Sequence, residues 1–317
     1  MSLPIIDLTQ PPETTVPLLA RTCEETGFFL VSGHGIASSL LAEMSDVSRR
    51  FFDLPLEAKR AVAAQPGADR GYRGLGAGRL AKSAGQATAP DLRENYFVGP
   101  TERPAGKPPT GFFTPNVWPA ALPEMEGVFT AYYAEMRRLA DRLLALSALA
   151  LDLPEGHFRP YNDAPISQLT IVNYPEQMEA PEETQLRASA HTDFGALTLL
   201  LAEDKPGGLQ VRQRNGEWLD VAPPAKDTYI VNIGDLMARW TNDRWASTVH
   251  RVVNPPREAA VISRRQSIVF FHHPNEDAAI ECLPTCIGSE ALYPPTTPGR
   301  HLREKLEAVY GNRAAAS

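Results

Sequence analysis

The stretch Ser189-Ala190-His191-Thr192-Asp193-Phe194-Gly195-Ala196-Leu197-Thr198-Leu199-Leu200-Leu201 decides how the rest of the chain is read. Its second half is rich in β-forming residues and predicts a strand. Side chains two positions apart on a strand point to one face. His191 and Asp193 are therefore expected to project together, about one pleat apart. A neutral imidazole beside a carboxylate offers two ligands to a borderline divalent cation.

A third ligand is expected from His250, in the strand-like segment Trp245-Ala246-Ser247-Thr248-Val249-His250-Arg251-Val252-Val253. Two histidines and one aspartate leave coordination positions open, the facial arrangement expected of non-haem Fe(II) oxygenases. Downstream, Arg265-Gln266-Ser267 opens a further strand. A guanidinium and a hydroxyl on one face can hold a carboxylate through a bidentate fork and one more hydrogen bond. Arg264 competes for that role; strand register and the pairing with Ser267 favour Arg265.

The composition narrows the class. The chain has 317 residues, 43% hydrophobic and 22% charged, an ordinary globular balance, with a formal net charge of −7. No Lys/Arg run stands out, so nucleic acid is not an expected partner. No apolar run approaches the length of a membrane span, and the N-terminal residues carry no basic region or cleavage-like site. The sparse, odd set Cys23, Cys282 and Cys286 argues for a reducing, cytoplasmic setting without a disulfide framework.

The elements can be placed along the chain. Ile5 to Leu8 predicts a short edge strand, and Glu13 to Thr26 a helix with Gly27 just past its end. Phe28 to Val31 predicts a buried strand, followed by a Gly-flanked turn in which His34 is a turn residue. Helices follow over Ala37–Phe52 and Leu56–Arg60. Gly71 to Gly78 is glycine-rich but lacks the Lys-Ser/Thr ending of a phosphate-binding loop. It is expected to be a loop over the site. Asp91 to Val98 predicts a strand, and residues 99–119 an irregular, Pro/Gly-rich connection. From Leu122 to Leu151, apolar residues Val128, Tyr132, Met136, Leu139, Leu143 and Leu146 recur at helical spacing and predict one buried face. After Pro165 come short strands parted by turn residues, and then a terminal helix from Arg300 to Tyr310. Such strands without alternating helices predict a sandwich or barrel of jelly-roll type.

At this point the residues carry a family resemblance over nearly the whole length. The chain resembles the isopenicillin N synthase-like family of Fe(II)/2-oxoglutarate-dependent dioxygenases. The likeness rests on Pro4-Ile5-Ile6-Asp7-Leu8, Gly27 to Gly35, Phe51-Phe52-Asp53-Leu54-Pro55, Asn173-Tyr174-Pro175 and His191-Thr192-Asp193. It continues through Asn232-Ile233-Gly234-Asp235, Ser247 to Val252 and Arg265-Gln266-Ser267. The resemblance implies an α+β fold, a double-stranded β-helix (jelly-roll) core flanked by helices. Residues 1–118 would form an N-terminal cap region, 119–153 a supporting helix, 165–275 the catalytic core and 276–317 a C-terminal tail and helix.

The resemblance further implies that His191, Asp193 and His250 bind Fe(II), and that Arg265 and Ser267 hold the distal carboxylate of 2-oxoglutarate. Tyr174 would reach the same co-substrate. Two departures stand out: Asn173 replaces a tyrosine frequent in the family, and a turn around Pro255-Pro256 lengthens the His250–Arg265 connection. The implied reaction consumes O2 and 2-oxoglutarate, releases succinate and CO2, and oxidises a small molecule, by default through hydroxylation. Within the family, a 2-oxoglutarate-independent oxidase or cyclase and an ethylene-forming enzyme are alternatives, and outside it a non-catalytic metal-binding barrel. The substrate pocket is expected to involve the Gly71–Gly78 loop, the Glu94–Phe97 strand and Phe271.

Overall fold

The structure is a computed structural model that describes residues 2–65, 69–86, 88–109, 111–205, 208–288 and 290–310. The N-terminal third supplies β1 (Ile5–Asp7), α1 (Pro12–Glu25), β2 (Phe28–Ser32), α2 (Ser38–Asp53), α3 (Leu56–Arg60), β3 (Gly71–Arg73) and β4 (Glu94–Val98). After the irregular connection comes α4 (Met125–Ala150), then β5 (Gln168–Tyr174), β6 (Ala188–His191), β7 (Leu197–Ala202), β8 (Leu209–Arg212), β9 (Trp218–Val221) and β10 (Tyr229–Ile233). The chain continues through α5 (Asp235–Trp240), β11 (His250–Val252), β12 (Arg265–His272) and α6 (Pro298–Tyr310).

Two sheets face each other. One has eight strands in the order β1-β2-β10-β7-β12-β5-β4-β3; the other has four, β6-β11-β8-β9. Among these strands, only β1 and β2 run parallel; the other neighbours pair antiparallel. Apart from the β8–β9 hairpin, consecutive strands of the second half jump between the sheets, as in a jelly roll. Strands β1 to β4, contributed by the N-terminal region, widen the larger sheet at both edges.

Alternation along each strand divides that sheet into two faces. On β12, Arg265, Ser267, Val269 and Phe271 face the cavity between the sheets, whereas Ile268 and Phe270 join the core on the helix side. That outer core is filled by α4. Its Tyr132, Met136, Leu139 and Leu143 are buried as the helical spacing requires, while Val128 and Leu146 lie at the partly buried margin. Each large side chain removed from water there stabilises the fold by roughly 1.5–3 kcal/mol. Gly27 lies just past the end of α1, and its φ of +63° and close approach to the Ala246 carbonyl leave no room for a Cβ.

Two expectations need correction. The stretch around His191 is two strands, not one. β6 ends at His191 and belongs to the small sheet; β7 begins at Leu197 in the large sheet, and Asp193 lies in the crossing loop. The loop breaks there because Gly195 packs against the backbone of β12: a Cβ would sit 2.5 Å from the His272 carbonyl oxygen. The second correction concerns the glycine-rich segment. Gly71–Arg73 is the edge strand β3, paired with β4, and no residue of 71–78 lines the cavity. The segment instead supports α6, with Arg73 4.1 Å from the Tyr310 ring centre.

Candidate metal centre and co-substrate clamp

His191 and His250 face each other across the antiparallel pair β6–β11, in direct register. Their rings lie 4.3 Å apart, tilted by 52°. Asp193 reaches them from the crossing loop, its Oδ1 3.8 Å from His191 Nε2 and 3.7 Å from His250 Nε2. One ligand atom from each of the three lies within 4.8 Å of the others. Two ligands at the ~2.1 Å typical of a borderline cation can lie at most about 4.2 Å apart, so both carboxylate–imidazole spacings suit one shared ion.

The protonation states suit it as well. His191 Nδ1 lies 2.7 Å from the Ser189 carbonyl oxygen, and His250 Nδ1 3.1 Å from that of Thr248. Carbonyls only accept, so both Nδ1 atoms donate, and in the neutral tautomer this selects, Nε2, the nitrogen facing Asp193, carries the lone pair. Burial, and then the neighbouring His250, hold the His191 pKa down at about 4, leaving a neutral imidazole at neutral pH. Burial alone would raise Asp193. The two imidazoles and a 2.8 Å hydrogen bond from Asn232 Nδ2 to Oδ2 outweigh it and hold the carboxyl below its ordinary value.

The residues expected to hold a carboxylate lie on the opposite wall. Arg265 and Ser267 share the cavity face of β12, and Tyr174 on β5 is the register partner of Arg265. The Arg265 guanidinium stands 5.4 Å from the Tyr174 ring centre. Its Nε donates to the Glu203 carbonyl at 3.0 Å. Among the described residues, Nη1 of Arg265 and Oγ of Ser267 have no partner, although the residues are only 3% and 2% exposed. Orphaned buried donors cost roughly 1–3 kcal/mol each, and an acidic ligand removes that cost. Arg264 points the other way, to Asp53 Oδ1 at 2.6 Å and Asn173 Oδ1 at 3.2 Å, which takes it out of contention.

Neutral nitrogen donors with one carboxylate, facing an unsatisfied guanidinium–hydroxyl pair across one cavity, fit a divalent iron and a 2-oxo dicarboxylic acid. Comparison with known proteins agrees. Residues 166–274 match the 2OG-Fe(II) oxygenase superfamily model, and residues 3–121 the model of the non-haem dioxygenase in morphine synthesis N-terminal region. A 2-oxoglutarate-Fe(II) type oxidoreductase of Emericella nidulans is 37% identical, over 95% of this chain and 86% of its own.

The chain belongs to the 2OG-Fe(II) oxygenase superfamily. This oxygenase is an enzyme whose cofactors are Fe(II) and 2-oxoglutarate. A homoarginine-6-hydroxylase of Oryza sativa subsp. japonica is 34% identical over 92% of this chain and 88% of its own. Among solved structures, a full-length Neurospora crassa protein in complex with alpha-KG and thymine superposes with a TM-score of 0.83 at 30% identity, covering 96% of either chain.

Three parts of the site lie outside the sequence expectation. Asn232 steers Asp193, although the only sequence signal was its place in Asn232-Ile233-Gly234-Asp235. Gly234 in the same motif touches the Gly195 carbonyl, so a side chain there would displace the Asp193 loop. α6 covers the cavity through Leu302, Leu306, Val309 and Tyr310, the role expected of the Gly71–Gly78 segment. Its one-sided apolar spacing carried that signal. Asn95, Phe97 and Phe271 line the cavity as expected.

Proposed function

We propose that this oxygenase hydroxylates a small organic molecule, with Fe(II) held by His191, Asp193 and His250 and 2-oxoglutarate by Arg265, Ser267 and Tyr174. When bound, the metal and co-substrate supply O2 activation coupled to loss of CO2 and formation of succinate. The protein's own residues do the rest. Asn232 keeps Asp193 turned toward the imidazoles, and Ser189 and Thr248 fix the imidazole tautomers. Arg265 and Ser267 anchor the far carboxylate, and the apolar wall of Phe97, Phe271, Leu302 and Leu306 excludes water from the reacting carbon.

The observation that carries this reading is the pair of unpartnered donors on Arg265 and Ser267, opposite the triad in one cavity. The hydroxylating relative supports hydroxylation over the other outcomes. The motifs from Pro4 to Ser267 support the isopenicillin N synthase-like branch. They also support a division into a cap over 1–118, a supporting helix over 119–153, a core over 165–275 and a tail over 276–317. The three free cysteines fit a reducing cytoplasm. No helix among the described residues is long and apolar enough to cross a membrane.

Anaerobic titration with Fe(II) and 2-oxoglutarate tests the assignment by visible absorption. A weak charge-transfer band in the wild type, lost or weakened in Arg265→Ala, is the expected result. Bound Fe(II) with no band in the wild type would move the reading to an oxidase that grips its own substrate with Arg265.

A further inference from the structure

The cavity has a second polar wall, which neither the triad nor the clamp uses. Asn95 on β4 and Thr170 on β5 face inward beside Arg93, which immediately precedes β4. Asn95 and Thr170 are 4% and 2% exposed, yet Asn95 Oδ1 and Thr170 Oγ1 have no partner among the described residues. Arg93 Nε also has none. On the cavity side the Arg93 guanidinium bonds Tyr174 and faces Tyr310. Behind it the buried carboxylate of Asp91 pairs with Arg93 as an ion pair at 4.0 Å from Nε, without a hydrogen bond to it. Asp91 instead accepts from Ser189 N at 2.8 Å, Ser189 Oγ at 2.6 Å and Leu80 N at 3.0 Å. Buried polar atoms of this kind are usually satisfied, and three on one patch of one cavity point to a ligand.

The charges on the walls select its sign. The cavity is lined by two arginines, Arg93 and Arg265, and by a single acid, Asp193, which faces the imidazoles. Among the described residues, no other carboxylate lines it to receive an ammonium or guanidinium group. A cationic substrate would find no free carboxylate in the cavity, while an anionic one would meet Arg93, whose ion-pair partner Asp91 is not among the cavity-lining residues. Around this patch the walls are apolar, with Phe97, Phe271, Leu306 and Val309.

We propose that the prime substrate is a small carboxylic acid with an apolar body, its carboxylate held by the Arg93 guanidinium with Thr170 and Asn95 beside it. This deepens the reading above and rests on it, because it assigns Arg265 and Ser267 to the co-substrate and leaves Arg93 for the substrate. Discrimination then comes from a matched pair: an amide or an amine of the same shape offers the guanidinium no charge-assisted hydrogen bond on the cavity side.

Calorimetric titration of the Zn(II)-substituted protein, with and without 2-oxoglutarate, tests this without turnover. The probes are benzoate, benzamide and benzylamine, and the three cyclohexane counterparts. In the 2-oxoglutarate-loaded wild type, at least one acid is expected to bind about tenfold or more tighter than its amide, and the amine weakest. Arg93→Gln should abolish that preference while changing 2-oxoglutarate affinity less than about threefold; Arg93→Lys should restore part of it. Acids that bind no better than their amides in both series, undetectable binding included, overturn the proposal. So does an Arg93→Gln protein that loses 2-oxoglutarate as strongly as the acid, because Arg93 then serves the co-substrate. Failure of the underlying reading has a different signature: the wild type does not bind 2-oxoglutarate at all.

Discussion

Asn232 and Asp193 are joined by a 2.8 Å hydrogen bond that occupies Oδ2 and leaves Oδ1 facing both imidazoles. A carboxylate fixed in this way presents one oxygen without having to be ordered when the cation binds. Asn232→Ala should weaken divalent-metal affinity by about 10- to 100-fold with little loss of fold. Competition against a chelating dye, with Mn(II) as the titrant, measures it. Unchanged affinity would mean that the loop alone orients Asp193.

The clamp predicts a graded series. Arg265→Ala should raise the dissociation constant for 2-oxoglutarate by about 10- to 100-fold, since a hydrogen bond to a charged group contributes about 1.5–3 kcal/mol. Arg265→Lys should recover only part, because an ammonium lacks the planar fork. Ser267→Ala should cost about two- to tenfold. Arg264→Ala, one position away, should leave the affinity unchanged, because that side chain pairs with Asp53 outside the cavity. Equilibrium binding to the Fe(II) protein under anaerobic conditions ranks the four; equal losses at Arg264 and Arg265 would refute the strand register.

Behind the cavity wall lies a buried charge network. Glu94 accepts from Lys59 Nζ at 3.0 Å, Tyr72 Oη at 2.5 Å and Asn173 Nδ2 at 2.8 Å, and both members of the ion pair are 8% exposed. Among the described residues, Glu94→Ala removes the only carboxylate bonded to the Lys59 ammonium, and it strands two more donors. The expected loss of stability is about 3–5 kcal/mol, read by urea denaturation. A loss below about 1 kcal/mol would show that water reaches Lys59.

Stability should fall on the acid side because of His272. It is fully buried, with Nε2 2.8 Å from Asn162 Oδ1 and Nδ1 3.1 Å from Ser167 Oγ. The Asn162 amide is oriented by its Nδ2 donating to the Phe158 carbonyl at 2.8 Å, so His272 donates from Nε2 and accepts at Nδ1. Burial, and then the neighbouring His273, depress its pKa to about 3. The unfolded chain therefore binds a proton below about pH 6.5 that the folded protein refuses. The contribution is fully present above pH 6.5 and is lost progressively as pH falls toward 3, at up to about 1.4 kcal/mol per pH unit for one group. Denaturation midpoints between pH 7 and 4 should decline less steeply in His272→Gln than in the wild type. Parallel declines would assign the acid sensitivity to other groups.

Much of this protein is legible from local signals. The helical recurrence along α4, the Gly27 stop and the Pro55 start of α3 depend only on near neighbours in the chain, and these elements lie where the spacing puts them. Alternation on β12 likewise foretells that Arg265 and not Arg264 faces the cavity, where His191, Asp193 and His250 gather. Non-local contacts decided the remainder. The apolar run after His191 has the composition of one continuous strand, and only the packing of Gly195 on β12 and Gly234 on Gly195 turns it into a crossing loop. The same loop brings Asp193 to the imidazoles, a task expected of a pleat. α6 covers the cavity and the glycine-rich segment does not, because that segment pairs as β3 at the sheet edge. Arg93 shows the limit most plainly. As a lone arginine before a strand it carries no signal. It gains one only when folding buries it in a cavity whose single acid, among the described residues, is turned toward two histidines.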